Sequence, residues 1–346
     1  MSWQAAFAHQ AKACIELGSP FTGMLLQSIA TRGLPNGPIA DRIAAWPGDI
    51  TARGASVPLR LAGAMHGLVL EGLDPHLASL YPPAKAAPTE LELWQAVTGA
   101  ILKHADWIDH RLNRTPQTNE VARSVALIAI SRWLTDKIGL PIVLSELGAS
   151  AGLNLFFDRY ALEQEGKLFG PTGPVLTLRP DWTGPPPSGA GPKITGRAGV
   201  DLAPPDLKTE RLRMLSYIWP DQPDRLARTN AALEAAAKHE PAVTKGDAID
   251  WLETRLKRRH VGQLHLIYHT IAWQYFPTES QKRGEDLLVA AGENATADAP
   301  LARFSMEVDA DDCGAGLCLT LWPGGKTHAF GRFDFHGRWI DWQPPF

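Results

Sequence analysis

Residues 141–160 read Pro-Ile-Val-Leu-Ser-Glu-Leu-Gly-Ala-Ser-Ala-Gly-Leu-Asn-Leu-Phe-Phe-Asp-Arg-Tyr. The apolar, partly β-branched run Ile142 to Leu144 leads into Glu146, then three small residues lie between Gly148 and Gly152. Leu153, Phe156, Phe157 and Tyr160 follow at helical spacing. The expected order is strand, tight turn, helix. The two glycines let the backbone turn sharply and come close to a ligand, and the first amides of the next helix are donors without partners in their own helix. Such a turn holds a nucleotide-like ligand or, by the same geometry, presents a serine. This stretch alone leaves both open.

With 346 residues, 45% of them hydrophobic, the chain buries a large core as one large domain or two ordinary ones. A net charge of -3 gives no case for nucleic acid or an anionic membrane as partner. Cys14, Cys313 and Cys318 form no metal-ligand pattern, and the histidines form no His-x-x-x-His or His/Cys set, so no metal is expected. Structural disulfides are not expected either, and a reducing cytoplasm suits this cysteine usage. The first ten residues lack a basic segment followed by an apolar one, so no signal peptide is expected. Apolar runs such as Val125 to Ile130 are too short to span a bilayer.

The chain reads as a helical region over 1–115 and a second region over 116–346, with an irregular insertion near 165–195. In the first, Trp3, Phe7, Ala11 and Cys14 recur at helical steps, and Thr89-Glu-Leu-Glu92 opens a helix with a capping-box pattern. Almost no strand signal precedes residue 140. Gln117-Thr-Asn119-Glu120 opens a helix that runs to Gly139. After the glycine turn, Val175 to Leu178 and Ile194 to Leu202 read as strands, the second carrying Asp201 at its end. Helices are expected near 211–217 and 224–238, with Trp219-Pro220-Asp221 as a breaker. Ala242 to Thr244, Leu264 to Tyr268, Ala302 to Val308, Leu317 to Trp322 and Phe330 to Phe335 complete the strands, the last two joined by Pro323-Gly324-Gly325.

Glu146-x-Gly148-x-Ser150-x-Gly152 resembles the first motif, acid-x-Gly-x-Gly-x-Gly, of class I S-adenosylmethionine-dependent methyltransferases. Asp201 ends a second strand, Lys245-Gly246-Asp247-Ala248 follows a third, and Leu264 to His269 stands as a fourth, so the resemblance continues motif by motif. It implies an α/β fold with a Rossmann-like, mostly parallel sheet, an antiparallel C-terminal hairpin and a helical N-terminal region. It also implies S-adenosylmethionine as cofactor, held by Glu146, Gly148, Ala149, Ser150, Gly152, Asn154, Asp201, Asp247 and Ala248. His269 would be the catalytic base, with Asn119, Glu120, Trp273 and Tyr275 bounding a small-molecule substrate pocket. Leu147 to Leu155, Gln117 to Val121 and Ile218 to Gln222 further resemble an uncharacterised bacterial family known only as a domain of unknown function.

Two other readings remain. Gly148-x-Ser150-x-Gly152 is also the nucleophile-elbow pattern of α/β-hydrolases, and Ser150, Asp247 and His269 follow the serine-acid-histidine chain order of that fold. More than a hundred residues of helix before the elbow, and strands after His269, argue against it. A binding protein that kept the sheet without the chemistry is the third. Ser150 puts a side chain where backbone usually meets the cofactor, and its hydroxyl offers a bond to the cofactor's carboxylate. Lys257-Arg258-Arg259-His260 is the one dense basic run, read as a solvated helix end with an RNA or phosphate contact as the alternative.

Overall fold

Apolar residues at three- and four-residue steps give the chain helices alone before residue 140 among the described residues, apart from one 3-10 turn. The computed structural model describes residues 1–83, 86–311 and 313–345. They divide into two compact units, Met1–Thr118 with Lys208–Asn230, and Asn119–Leu207 with Ala231–Phe346. The first break lies near the expected 115/116 boundary, but the segment 208–230 clusters with the N-terminal helices.

In the first unit, Pro20, Pro38, Pro58 and Pro75 stand in the first turns of their helices, where a missing N–H costs nothing. Thr89 and Glu92 form the expected reciprocal capping box on Glu90–Lys103. Phe7, Leu26, Ile29, Val57, Leu61, Met65, Leu93 and Val97 fill the core. The spacing of Trp94, Val97, Ile101, Ile108 and Leu112 predicts one long helix, which breaks at His104 into Glu90–Lys103 and Ala105–Leu112. Asp221 shows why residues 208–230 belong here. Its carboxylate accepts Ser19 Oγ at 2.5 Å and Phe21 N at 2.8 Å, supplying to helix Pro20–Arg32 the cap that Ser19 does not make with its own side chain.

The second unit is built on a nine-stranded sheet. Its strands are β1 (Ile142–Leu147), β5 (Asp181–Thr183), β6 (Ile194–Asp201), β7 (Val243–Lys245), β8 (Leu264–Thr270), β9 (Leu301–Glu307), β10 (Ala315–Trp322), β11 (Lys326–Phe333) and β12 (Trp339–Trp342). The order is β5-β12-β11-β10-β9-β8-β1-β6-β7. The five strands from β7 to β9 are parallel to their neighbours, whereas β9 through β12 form an antiparallel meander. Every residue of β1 and of β8 is buried, the polar ones included, as befits strands at the centre of a parallel sheet. Helices Ala248–Leu256 and Thr278–Glu293 share one core with Leu147, Ile267 and Leu301. On helix Ser124–Ile138, Trp133 packs edge-on against Phe330 of β11.

Three expectations change. Leu153–Arg159 is a 3-10 segment kinked at Phe156, where the backbone leaves helical φ/ψ, and its residues through Phe157 are all buried. It runs into a small separate sheet, β3-β2-β4, made of β2 (Ala161–Gln164), β3 (Lys167–Phe169) and β4 (Thr177–Leu178). Glu165 and Gly166, both at positive φ, form the two-residue turn between β2 and β3, a hairpin the sequence reading missed. The expected strand over 175–178 keeps only its last two residues, and β12 and β5 extend the large sheet beyond the expected final hairpin.

Asp221→Ala removes both acceptors from the start of helix Pro20–Arg32 and costs about 1–2 kcal/mol. Its expected signature is a lower urea midpoint. An unchanged midpoint contradicts this role for the segment.

Candidate functional site

The strand order reverses between β1 and β8, since the chain runs β1, β6, β7 in one direction and then crosses to β8 and β9 in the other. In open parallel sheets, ligands bind outside the carboxyl ends of the strands at such a switch. Here those ends carry Glu146 and the 148–152 turn on β1, Asp201 on β6, His269 on β8 and Glu307 on β9.

The 148–152 turn is built into the protein. Gly148 N and Ala149 N both donate to Val200 O at 2.9 Å, and Ser150 N donates to Asp201 Oδ2 at 2.8 Å. Gly152 N donates to Ala149 O at 2.7 Å and Leu153 N to Asn119 Oδ1 at 2.8 Å. These amides, expected to face outward as donors, are satisfied internally. Gly148 and Gly152 sit at positive φ, where glycine alone is unstrained. A Cβ on Gly148 would lie 2.5 Å from Ala272 Cβ, and one on Gly152 would lie 2.8 Å from Val243 Cγ2, so the glycines serve close packing at these points. Ala149 packs in the same way against Gly199 of β6. Ser150 holds φ +51°, a conformation its side chain disfavours, and its Oγ is sealed from solvent without a hydrogen-bond partner.

Asn119, Glu120 and Asn154 join this framework. Asn154 Nδ2 donates to Glu120 O at 3.3 Å, Asn154 Oδ1 accepts Ser124 Oγ at 2.7 Å, and the Glu120 side chain accepts Ala122 N at 3.1 Å. All three residues are buried. Asp247 caps helix Ala248–Leu256 by accepting Ile249 N and Asp250 N on Oδ1, and Ala248 lies in the core behind it. Gly246 N donates to Asp201 O at 3.0 Å, which ties the ends of β6 and β7 together and brings their two acids onto adjacent strand ends.

Glu146 is enclosed on β1 beside Tyr268 of β8. The Tyr268 hydroxyl lies 3.2 Å from both Glu146 Oε2 and Asn154 O. A phenol has one proton to give, so both contacts are fully satisfied when a protonated Glu146 donates to the phenol oxygen. Burial agrees, pushing the Glu146 carboxyl well above its ordinary range.

His269 is held at both ring nitrogens. Nδ1 is 2.7 Å from Glu307 Oε1, and Arg303 Nε donates to Nε2 at 3.1 Å. A guanidinium only donates, so Nε2 accepts and the proton sits on Nδ1. Burial holds the ring below the ordinary imidazole range despite the carboxylate beside it. Burial pushes Glu307 upward, but donors from His269, Ala272 N and Trp273 N outweigh it and keep the carboxyl below its usual range. Trp273 stacks on His269 and under Arg303 within the core, whereas Tyr275 is 72% exposed. No hydrogen bond among the described residues links Ser150, Asp247 and His269, so a serine-acid-histidine triad is not assembled. The sequence reading missed Glu307, Arg303 and Tyr268. An acid at the end of an alternating strand, the signal that picked out Asp201, marks Glu307 as well.

Between the ordinary carboxylate range and the raised Glu146 value, the folded chain holds a proton that the unfolded chain has lost, so stability falls as pH rises. Glu146→Gln removes this slope. Relative to the parent, the variant's urea midpoint should climb as pH rises above the ordinary carboxylate range, each tenfold difference in proton affinity being worth about 1.4 kcal/mol. A difference that stays flat or shrinks with pH contradicts the buried acid.

No curated protein and no solved structure matches the chain. The family described as "Uncharacterized protein conserved in bacteria (DUF2332)" matches residues 4–342, and the chain belongs to that family.

Proposed function

We propose that the carboxyl ends of β1, β6 and β7 bind S-adenosylmethionine and that the protein is a methyltransferase acting on a small molecule. The supporting observation is the strand-order switch between β1 and β8 with Asp201 and Asp247 on the adjoining strand ends. Asp201 binds backbone through both carboxylate oxygens, Oδ1 to Ala203 N and Oδ2 to Ser150 N, which fixes an acid at the end of β6. An acid held there is the kind of acceptor that ribose hydroxyls use. Asp247 spends Oδ1 on its helix, which leaves Oδ2 for an exocyclic amine. Leu202, 70% exposed beside Asp201, offers an apolar surface to a flat base. Ser150 Oγ is an unsatisfied group on the turn beside them, and a cofactor carboxylate would satisfy it. Methyl transfer needs chiefly orientation of acceptor and sulfonium, which a rigid sheet edge supplies.

A second reading, a non-catalytic binder of the same ligand, draws on His269. With both ring nitrogens engaged, it becomes a base only by leaving Arg303. In this proposal His269 and Glu307 position the 271–273 turn, and deprotonation falls to the acceptor itself.

Calorimetry with S-adenosylmethionine and its demethylated product should detect binding, with Asp247→Ala weakening it about tenfold, or roughly 1.4 kcal/mol. Absence of binding by the parent, or equal binding by the variant, overturns the proposal. Ser150→Gly separates stability from function. It relieves the positive φ and the buried hydroxyl, so the melting temperature should hold or rise while affinity for the same ligand falls several-fold. Unchanged affinity removes Ser150 from the site.

A further inference from the structure

A second feature lies at the opposite edge of the sheet. A cavity of about 220 Å³ opens beside the first residues of β8 and β9, lined by Lys257, Arg258, Arg259, His260 and His265 with an apolar wall that includes Leu301. It is smaller than the usual pocket for a drug-sized ligand. No carboxylate lines it. The nearby acids pair outward: Glu253 lies 3.9 Å from Lys257 Nζ, and Asp298 lies 3.6 Å from an Arg259 that also donates to Thr296. Arg258 has no ion-pair partner among the described residues.

A helix end accounts for part of this. Lys257 to Arg259 follow the C-terminus of Ala248–Leu256, where the dipole favours positive charge. It does not account for the imidazoles. His260 is 7% exposed, and its Nε2 is sealed from solvent without a hydrogen-bond partner. Gln263 hydrogen-bonds the His260 ring through its side chain, which favours the charged ring, while its Nε2 donates to Thr195 Oγ1, and neither bond reaches His260 Nε2. Burial, with Arg255 and Arg258 nearby, holds His260 below the ordinary imidazole range. The ring stacks edge-on against His265, whose Nε2 is already engaged by Ser145 Oγ at 2.8 Å. A buried polar atom left unsatisfied, beside an Arg258 without an ion pair among the described residues, is a locus that an anion would relieve.

We infer that this cavity binds a small phosphate monoester, its phosphate held by Lys257, Arg258 and His260 and its compact apolar body against the Leu301 wall. The site is separate from the carboxyl-edge residues and stands whether or not those bind a nucleoside.

The test uses the full chain and two probes, inorganic phosphate and phenyl phosphate, titrated by calorimetry. Both should bind, phenyl phosphate the more tightly. Arg258→Gln and His260→Leu should each weaken both by about tenfold, with Lys282→Gln as an exposed control that changes nothing. Circular dichroism melts establish that each variant is folded. Should His260→Leu fail to fold, the exposed Arg258→Gln alone decides. Absence of phosphate binding, equal binding by Arg258→Gln, or no preference for phenyl phosphate overturns the inference. So does a twelve-nucleotide RNA binding in an Arg258-dependent way where phosphate does not, which would make the surface a polyanion contact.

Discussion

The pairing of β1 with β8 is the constraint on which the second unit depends. β1 is buried along its whole length, yet it carries two polar side chains in succession, Ser145 and Glu146, which point to opposite faces of the sheet. Each meets its partner only in the observed register. Ser145 Oγ bonds His265 Nε2 and accepts Arg255 Nε at 3.1 Å, while Glu146 stands opposite Tyr268 and within reach of its hydroxyl. A slip of one residue would put each polar group on the wrong face and leave both unsatisfied, at about 1–3 kcal/mol apiece. Apolar strands tolerate misregister better than this pair does. The switch point is therefore located by buried polarity as much as by burial itself.

The two central strands end in matching ways. Ser150 past β1 and Ile271 past β8 both take φ +51°, which is costly for a side-chain-bearing residue and most so for a β-branched one. A carboxylate from the next strand outward secures each turn. Asp201 of β6 takes the Ser150 amide, and Glu307 of β9 takes the amides of Ala272 and Trp273. Ala272 then fills the space that Gly148 leaves empty. Asp201, Glu307 and the small residues form a mutual brace across the crevice, and positional precision there comes from charge-assisted bonds to backbone.

Much of this was legible in the sequence because it rests on local signals. The order of helices and strands, the end of the second strand at Asp201 and the turn at Pro323 to Gly325 follow from periodicity and breakers. The glycine turn was located, but the partners that the amides of Gly148, Ala149, Ser150 and Leu153 find on β6 and at Asn119 are announced by no local pattern. His269 was chosen for its type and its strand end, and long-range partners at 303 and 307 give it a structural occupation. The segment 153–159 looked helical because apolar residues recurred at three and four, but the backbone leaves helical φ/ψ at Phe156 in a run buried from Leu153 to Phe157, which spacing alone does not announce.

The Asp221 cap on helix Pro20–Arg32 joins positions two hundred residues apart in sequence. During synthesis the amino-terminal helices leave the ribosome first, yet their unit lacks this cap until residue 230 has followed, by which time β1 and β6 have already been made. The unit at the start of the chain is therefore completed only after the sheet of the second unit has been begun, and its nascent helices wait, partly unsecured, until then.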